Sequence, residues 1–200
     1  AMAHQAVDRG HTTEAMELAD GAIAGGRYQA ACHRERSLLG VIHARALGAT
    51  GQRAAAVSAL LQAEADLASV RPGDDQPGRV FFFGEASLAH QTACTLRDIG
   101  DSAGAIEQYQ RSAQKRQTSK FARTHVITLG DLGQVQAQEG DFDGALQAWS
   151  VSLDHADGVK SGRVRDVVVG IRAELPGLRR RGVSGLAELD HRTNSYLGGV

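Results

Sequence analysis

Four times along this chain a glycine is followed by an alanine five residues on and by a variable residue nine residues on. Gly10 precedes Ala15 and Ala19, Gly51 precedes Ala56 and Leu60, Gly100 precedes Ala105 and Tyr109, and Gly140 precedes Ala145 and Trp149. No other feature restricts the fold as much. A glycine just past a helix end supplies the left-handed residue that stops it, so each anchor reads as a turn between two helices. The last instance is the fullest. Leu132, Val135 and Glu139 fall at helical spacing before Gly140, and Ala145, Leu146, Trp149 and Leu153 do so after it. Asp141 is a good N-cap for the second helix, and Asp101 holds the same place after Gly100. Gly133 and Ala145 are small where the two helices must cross, and Trp149 is the large residue beside them.

Small residue, turn glycine, small residue, large aromatic is the order of the tetratricopeptide pattern, whose unit is about 34 residues. The anchors at 10, 51, 100 and 140 are separated by 41, 49 and 40 residues. The helices are therefore expected to be longer, or the loops between units to carry insertions. The longest interval contains Arg71-Pro72-Gly73-Asp74-Asp75-Gln76-Pro77-Gly78, a loop by composition. The paired carboxylates Asp74 and Asp75 read there as a solvated turn. The predicted fold is all-α: a tetratricopeptide-like right-handed superhelical solenoid of antiparallel helix pairs, with a C-terminal capping helix. One domain is expected over residues 1–200, with units at about 1–25, 28–70, 80–116 and 119–157. Terminal helices follow at 161–175, stopped by Pro176-Gly177, and at 183–197. The first helix before Gly10 is short, so sequence belonging upstream is expected.

Composition supports helices and excludes several classes. Alanine, arginine and leucine are abundant, aromatics make up 4%, and Val167-Val168-Val169 is the nearest approach to a strand. A formal net charge of −1 argues against a polyanion binder. Arg111, Lys115, Arg116, Lys120 and Arg123 read as a solvated helix face. No run approaches the roughly 18 apolar residues of a membrane span, and Ala1-Met2-Ala3 leads straight into helix-like sequence with no signal peptide. Cys32 and Cys94 fall in different units and are expected to be reduced in a cytoplasmic protein. Of Phe81, Phe82 and Phe83, at least one must lie outside the core.

Catalytic and metal motifs are missing. No histidine pair has H-E-x-x-H spacing and no C-x-x-C occurs. Cys32 and His33 point about 100° apart on a helix, and His43 reads as a satisfied core histidine. Ser112-Ala113-Gln114-Lys115 matches S-x-x-K formally, without the supporting motifs of serine acyl-enzymes. The reading is a non-enzyme with no cofactor and no metal.

Beyond the generic repeat, Phe82-Phe83-Gly84-Glu85-Ala86-Ser87-Leu88-Ala89, Ala103-Gly104-Ala105-Ile106 and Arg123-Thr124-His125 leading to Leu129-Gly130-Asp131-Leu132 form a recognisable series. Glu139-Gly140-Asp141-Phe142-Asp143-Gly144-Ala145, Arg163-Val164-Arg165 and Leu189-Asp190-His191-Arg192 continue it. In this order the motifs resemble the C-terminal tetratricopeptide regions of actinobacterial Xre-type helix-turn-helix transcriptional regulators, over about residues 28–197. Gly84 and Ser87 stand where that family often has acids, and its amino-terminal DNA-binding domain is not in this chain. The resemblance implies a ligand- or peptide-sensing and oligomerisation module of a one-component transcriptional regulator. The alternative is a constitutive protein–protein interaction scaffold with no signalling ligand.

In such a stack the first helix of each pair lines a concave face. Counting from the turn glycines, the inward residues are Arg45, then His90, Cys94, Arg97 and Asp98, then Gln134 and Gln138, with Val164 and Val168 after them. This mostly polar lining suits a peptide or protein ligand, and Arg97 is the expected grip on a carboxylate. Asp98 beside it offers the competing reading of a structural ion pair. A homodimer is expected, with DNA bound only through an upstream helix-turn-helix domain and no membrane partner.

Overall fold

The four anchor glycines close their helices in the same way. Gly10, Gly51, Gly100 and Gly140 have φ of 75°, 77°, 81° and 85°. At each, the glycine N–H donates to the carbonyl three residues back and the next N–H to the carbonyl five residues back. For Gly140 these bonds are Gly140 N to Ala137 O at 3.3 Å and Asp141 N to Gln136 O at 2.9 Å. That pair of bonds is the Schellman motif, which satisfies carbonyls a helix end leaves open. After Gly100 and Gly140 the aspartate caps the next helix as expected: Asp101 Oδ1 accepts from Gly104 N and Asp141 Oδ1 from Gly144 N, both at 3.0 Å. His11 and Gln52 occupy the same place in the first two turns without a side-chain cap.

The computed structural model describes residues 2–74 and 77–198, the side chain of Arg27 excepted; Asp75 lies outside the described residues. The protein is all-α. Its helices are α1 (Met2–Asp8), α2 (Thr12–Ala24), α3 (Gly26–Ala30), α4 (His33–Ala49), α5 (Arg53–Ala68), α6 (Glu85–Asp98), α7 (Ser102–Lys115), α8 (Thr118–Glu139), α9 (Phe142–Asp154), α10 (Gly162–Arg180) and α11 (Leu186–Gly198). A 3-10 turn at Gly78–Val80 follows the loop. Among the described residues there is no strand, and no helix is long and apolar enough to cross a membrane. The chain forms two compact units, divided inside α7 between Gln108 and Tyr109.

In the first unit α1 packs on α2, α2 on α4, and α4 on both α5 and α6. Ala3, Ala6, Ala15, Ala19 and Ala46 fill one cluster; Val41, Ala44, Leu60, Ala63, Phe83 and Leu88 fill another. The dominance of alanine sets a close helix spacing. A Cβ on Gly40 would lie 3.3 Å from that of Ala63, and one on Gly48 would lie 3.2 Å from Thr95 Cγ2. Of the three phenylalanines, Phe83 is buried and Phe81 and Phe82 are exposed. Two helices, α3 and α4, precede α5 in this unit rather than one, because Ala31 and Cys32 have extended backbone. The break coincides with a hydrogen bond from Tyr28 Oη to Asp66 Oδ2 of α5 at 3.4 Å. His43 is half-buried and meets Asp20 Oδ1 at 3.0 Å. Cys32 and Cys94 are unbridged.

In the second unit α8 packs on α9 and α10, and α11 lies against α9 and α10. Trp149 is fully buried, in a cluster with Ala137 of α8 and Val168, Ile171 and Leu175 of α10. That is the burial the register predicts. Its indole Nε1 donates to Gly130 O at 3.2 Å. A Cβ on Gly133 would fall on Trp149 Nε1 and lie 2.5 Å from its Cδ1; one on Gly130 would fall on Val167 Cγ1. The two glycines therefore let α9 and α10 approach α8 from different sides.

Two expectations for α10 need correction. Val164 and Val168 are fully buried, and with Ile171, Leu175 and Leu178 they make the core stripe of the helix rather than a groove lining. The helix also runs through Pro176-Gly177 to Arg180 instead of stopping at 175. Pro176 is exposed, so water can take the carbonyl its missing N–H leaves unbonded, while buried Leu175 and Leu178 hold the helix on both sides. On α11, Arg192 reaches Asp154 Oδ1 at 2.6 Å and Ser150 Oγ at 3.0 Å, and Tyr196 Oη donates to Val159 O at 3.1 Å.

Candidate functional site

Arg45 sits on α4 where the Ala44–Ala46 run brings the backbone close to its neighbours, and it is 4% exposed. Its guanidinium reaches Gln91 Oε1 of α6 at 3.1 Å, Asp98 Oδ2 of α6 at 3.7 Å and Asp8 Oδ1 of α1 at 3.5 Å. His4 Nε2 of α1 lies 3.4 Å away. Arg45 thus ties three helices together from inside the first unit. Arg97 grips Asp98 Oδ1 with both Nε, at 3.0 Å, and a terminal nitrogen, at 2.8 Å. The structural ion pair weighed against a ligand grip is therefore present. Asp98 joins Arg97 to Arg45. One turn apart on α6, His90 and Cys94 are buried, with Sγ 3.7 Å from Nε2.

In the second unit, Gln134 is half-buried and its Nε2 donates to Glu174 Oε1 of α10 at 2.9 Å. One turn further along α8, exposed Gln138 opens onto a cleft of about 510 Å³. Ala137 and Leu178 form apolar wall, and Glu174, Arg180 and Arg181 bring charge to it. Periodicity explains how α10 contributes. Residues 174, 177, 178 and 181 follow the i, i+3, i+4, i+7 rule that places side chains on one face. The three arginines that end the helix diverge. Arg179 pairs with Asp190 Oδ2 of α11 at 3.6 Å, and Arg181 lies over the Phe142 ring at 5.7 Å from its centroid. Arg180 has no acidic partner within ion-pairing distance among the described residues.

Of the seven residues expected to line a groove, Arg45, His90, Cys94, Arg97 and Asp98 belong to the first unit, and Gln134 and Gln138 to the second. Arg45, Arg97 and Asp98 are brought into one network. Gln138 lines the cleft, and Gln134 is bonded to Glu174 in its wall. Sequence reasoning missed the α10 wall, because Pro176-Gly177 read as a stop; the run Arg179-Arg180-Arg181 was the signal that could have found it.

A second polar cluster also lies in this unit. His125 is buried, meets the His155 ring edge-on at 4.8 Å between centroids, and has Nδ1 without a hydrogen-bond partner. Burial, then the His155 and Arg116 charges, pull its pKa down to about 4. Arg116 corrects the expectation of a wholly solvated basic face: it is buried and donates to Ser112 Oγ at 2.9 Å, while Arg111, Lys115, Lys120 and Arg123 are exposed.

Compared with family models, curated proteins and solved structures, the chain matches none.

Proposed function

We propose that this chain is a tetratricopeptide-like module, its helix pairs following one another in a right-handed superhelix closed by α11, and that it binds a peptide or a protein segment. The observation that carries the proposal is the fourfold turn: identical Schellman bonding at Gly10, Gly51, Gly100 and Gly140, each followed five residues on by a fully buried alanine. Repeated helix pairs of this kind expose extended surfaces suited to peptide backbones and side chains. The resemblance to the Xre-type regulators extends the reading to a non-catalytic, cytoplasmic sensor region that dimerises and meets DNA only through a helix-turn-helix domain. A constitutive scaffold is the second reading. It is favoured by the commitment of Arg45 and Arg97 to Asp98.

Two measurements test the proposal. A compact globule of this length has a radius of gyration of about 16–17 Å, and small-angle scattering should give a larger value. A cognate peptide at a hundred times its Kd adds about 2.7 kcal/mol to stability, which raises Tm by roughly 5–11 °C in a chain of this size. A compact scattering profile removes the superhelix. Failure of a diverse pool of short peptides to move Tm removes the sensor and leaves the scaffold.

A further inference from the structure

We infer that the cleft between the C-terminal turns of α8 and α10 is a binding site for a short zwitterionic peptide of about three residues. Glu174 would take the ammonium, and Arg180, with Arg181, the carboxylate. The inference rests on the peptide-binding reading above and gives it a place and a terminal chemistry.

The cleft, at about 510 Å³, falls in the size range of small-ligand sites. Its charges are separated rather than mixed. Glu174 uses Oε1 to accept from Gln134, which orients the carboxylate and leaves Oε2 for a second donor. Seven residues on, Arg181 is steadied by the Phe142 ring, and Arg180 beside it brings a guanidinium with no acidic partner among the described residues. A guanidinium is the side chain best matched to a carboxylate, through two parallel N–H donors. The exposed amide of Gln138 can serve a peptide group between the two ends. Ala137 and Leu178 offer apolar wall to small side chains.

Spacing selects the length of the ligand. At 1.5 Å per residue, seven residues of helix separate the Cα atoms of Glu174 and Arg181 by about 10 Å. An extended peptide advances about 3.3–3.6 Å per residue, so the terminal charges of a tripeptide span that distance. A free α-amino acid carries its two charges on one carbon and reaches only one end.

Calorimetric titration of the whole chain with trialanine, N-acetyl-trialanine, trialanine amide and free alanine tests the site. Trialanine should bind. Masking either terminus should weaken binding about ten- to hundredfold, the range of one charged hydrogen bond, and alanine should bind more weakly than trialanine. Glu174→Gln should abolish the preference for the free amino terminus, and Arg180→Gln the preference for the free carboxylate. Unchanged melting curves should show that both variants fold. Equal affinity for the three peptides, preferences that survive both substitutions, or no binding at millimolar trialanine overturns the site. If trialanine fails while longer peptides raise Tm, the cleft is lost and the peptide-binding reading stands. If the trialanine preferences appear and longer peptides leave Tm unmoved, the cleft stands and the peptide-binding reading narrows to short peptides.

Discussion

Gly133 is where packing of the second unit can be tested most sharply. In an exposed helix interior, glycine to alanine stabilises by about 1 kcal/mol, because glycine gives up more backbone freedom on folding. Here the new Cβ would fall on the Trp149 indole, touching Nε1 and lying 2.5 Å from Cδ1 and 2.9 Å from Cε2. The indole has nowhere to retreat, since it is fully buried and hydrogen-bonded to Gly130 O. Overpacking of this kind costs about 1–3 kcal/mol, and a displaced indole also loses about 1 kcal/mol of hydrogen bond. Gly133→Ala should therefore destabilise by about 1–3 kcal/mol, the reverse of the usual sign. Replacing the obstacle should restore that sign. In a Trp149→Leu background the same change should stabilise by up to about 1 kcal/mol, giving a coupling of about 1–4 kcal/mol. Trp149 is the chain's single tryptophan, so its fluorescence reads this unit alone during urea unfolding, and circular dichroism follows the leucine variants. The reasoning is refuted if Gly133→Ala stabilises the unmodified protein, or if the coupling falls below about 0.5 kcal/mol.

Further outcomes follow from other particular contacts. Gly140→Ala, which forces a side chain into a φ of 85°, should cost about 1–2 kcal/mol in urea unfolding, and Asp141→Ala about 1 kcal/mol through its lost cap bond to Gly144 N. His125 has its folded pKa depressed to about 4, below the unfolded value of about 6.5. Its contribution is thus fully present above pH 6.5 and is lost as pH falls from 6.5 to 4. Comparison of urea midpoints should show a loss of about 2 kcal/mol between pH 7 and pH 5, and His125→Gln should flatten that slope. Arg45→Ala should cost about 1–3 kcal/mol, through the ion pairs lost from Asp8 and Asp98 and the space left behind, whereas Arg45→Met, which loses the same pairs but fills much of that space, should cost less in thermal unfolding. Trp149→Ala should cost roughly 3–5 kcal/mol, as large aromatics do in cores.

The turns were legible because the left-handed backbone at Gly140 and its three counterparts is a local demand that one residue type meets cheaply. The Trp149 contact was legible because a small residue recurs five positions after each turn glycine and a large aromatic, Tyr109 or Trp149, stands nine after the last two. The passage of α10 through Pro176 was not, since local propensity argues for a stop and only the burial of Leu175 and Leu178 overrides it. The break at Ala31–Cys32 has no local signal either; its partner, Asp66, is 38 residues from Tyr28. The polar residues divide along the same line. Helical register could place Arg45 on an inner face and Gln138 beside a groove. It could not show that Asp8, Gln91 and Asp98 would converge on Arg45, or that Glu174 and Arg180 would face Gln138.

The aspartate caps at the third and fourth turns carry a rule of inheritance. Asp101 and Asp141 fold back over the third residue of the helices they begin, and that residue is glycine both times, Gly104 and Gly144. A Cβ at 104 would lie 2.8 Å from Asp101 Oδ2, and one at 144 would fall on Asp141 and on the Gln136 amide. Where the turn begins with His11 or Gln52 and no side chain caps the helix, the same position holds Glu14 or Ala55. Cap and glycine are therefore coupled: a side chain gained at 104 or 144 must push the carboxylate aside, and a carboxylate lost removes the crowding that the glycine relieves. In descendants of this chain a side chain should therefore enter at 104 or 144 more readily once the aspartate before it is gone than while it still caps the helix.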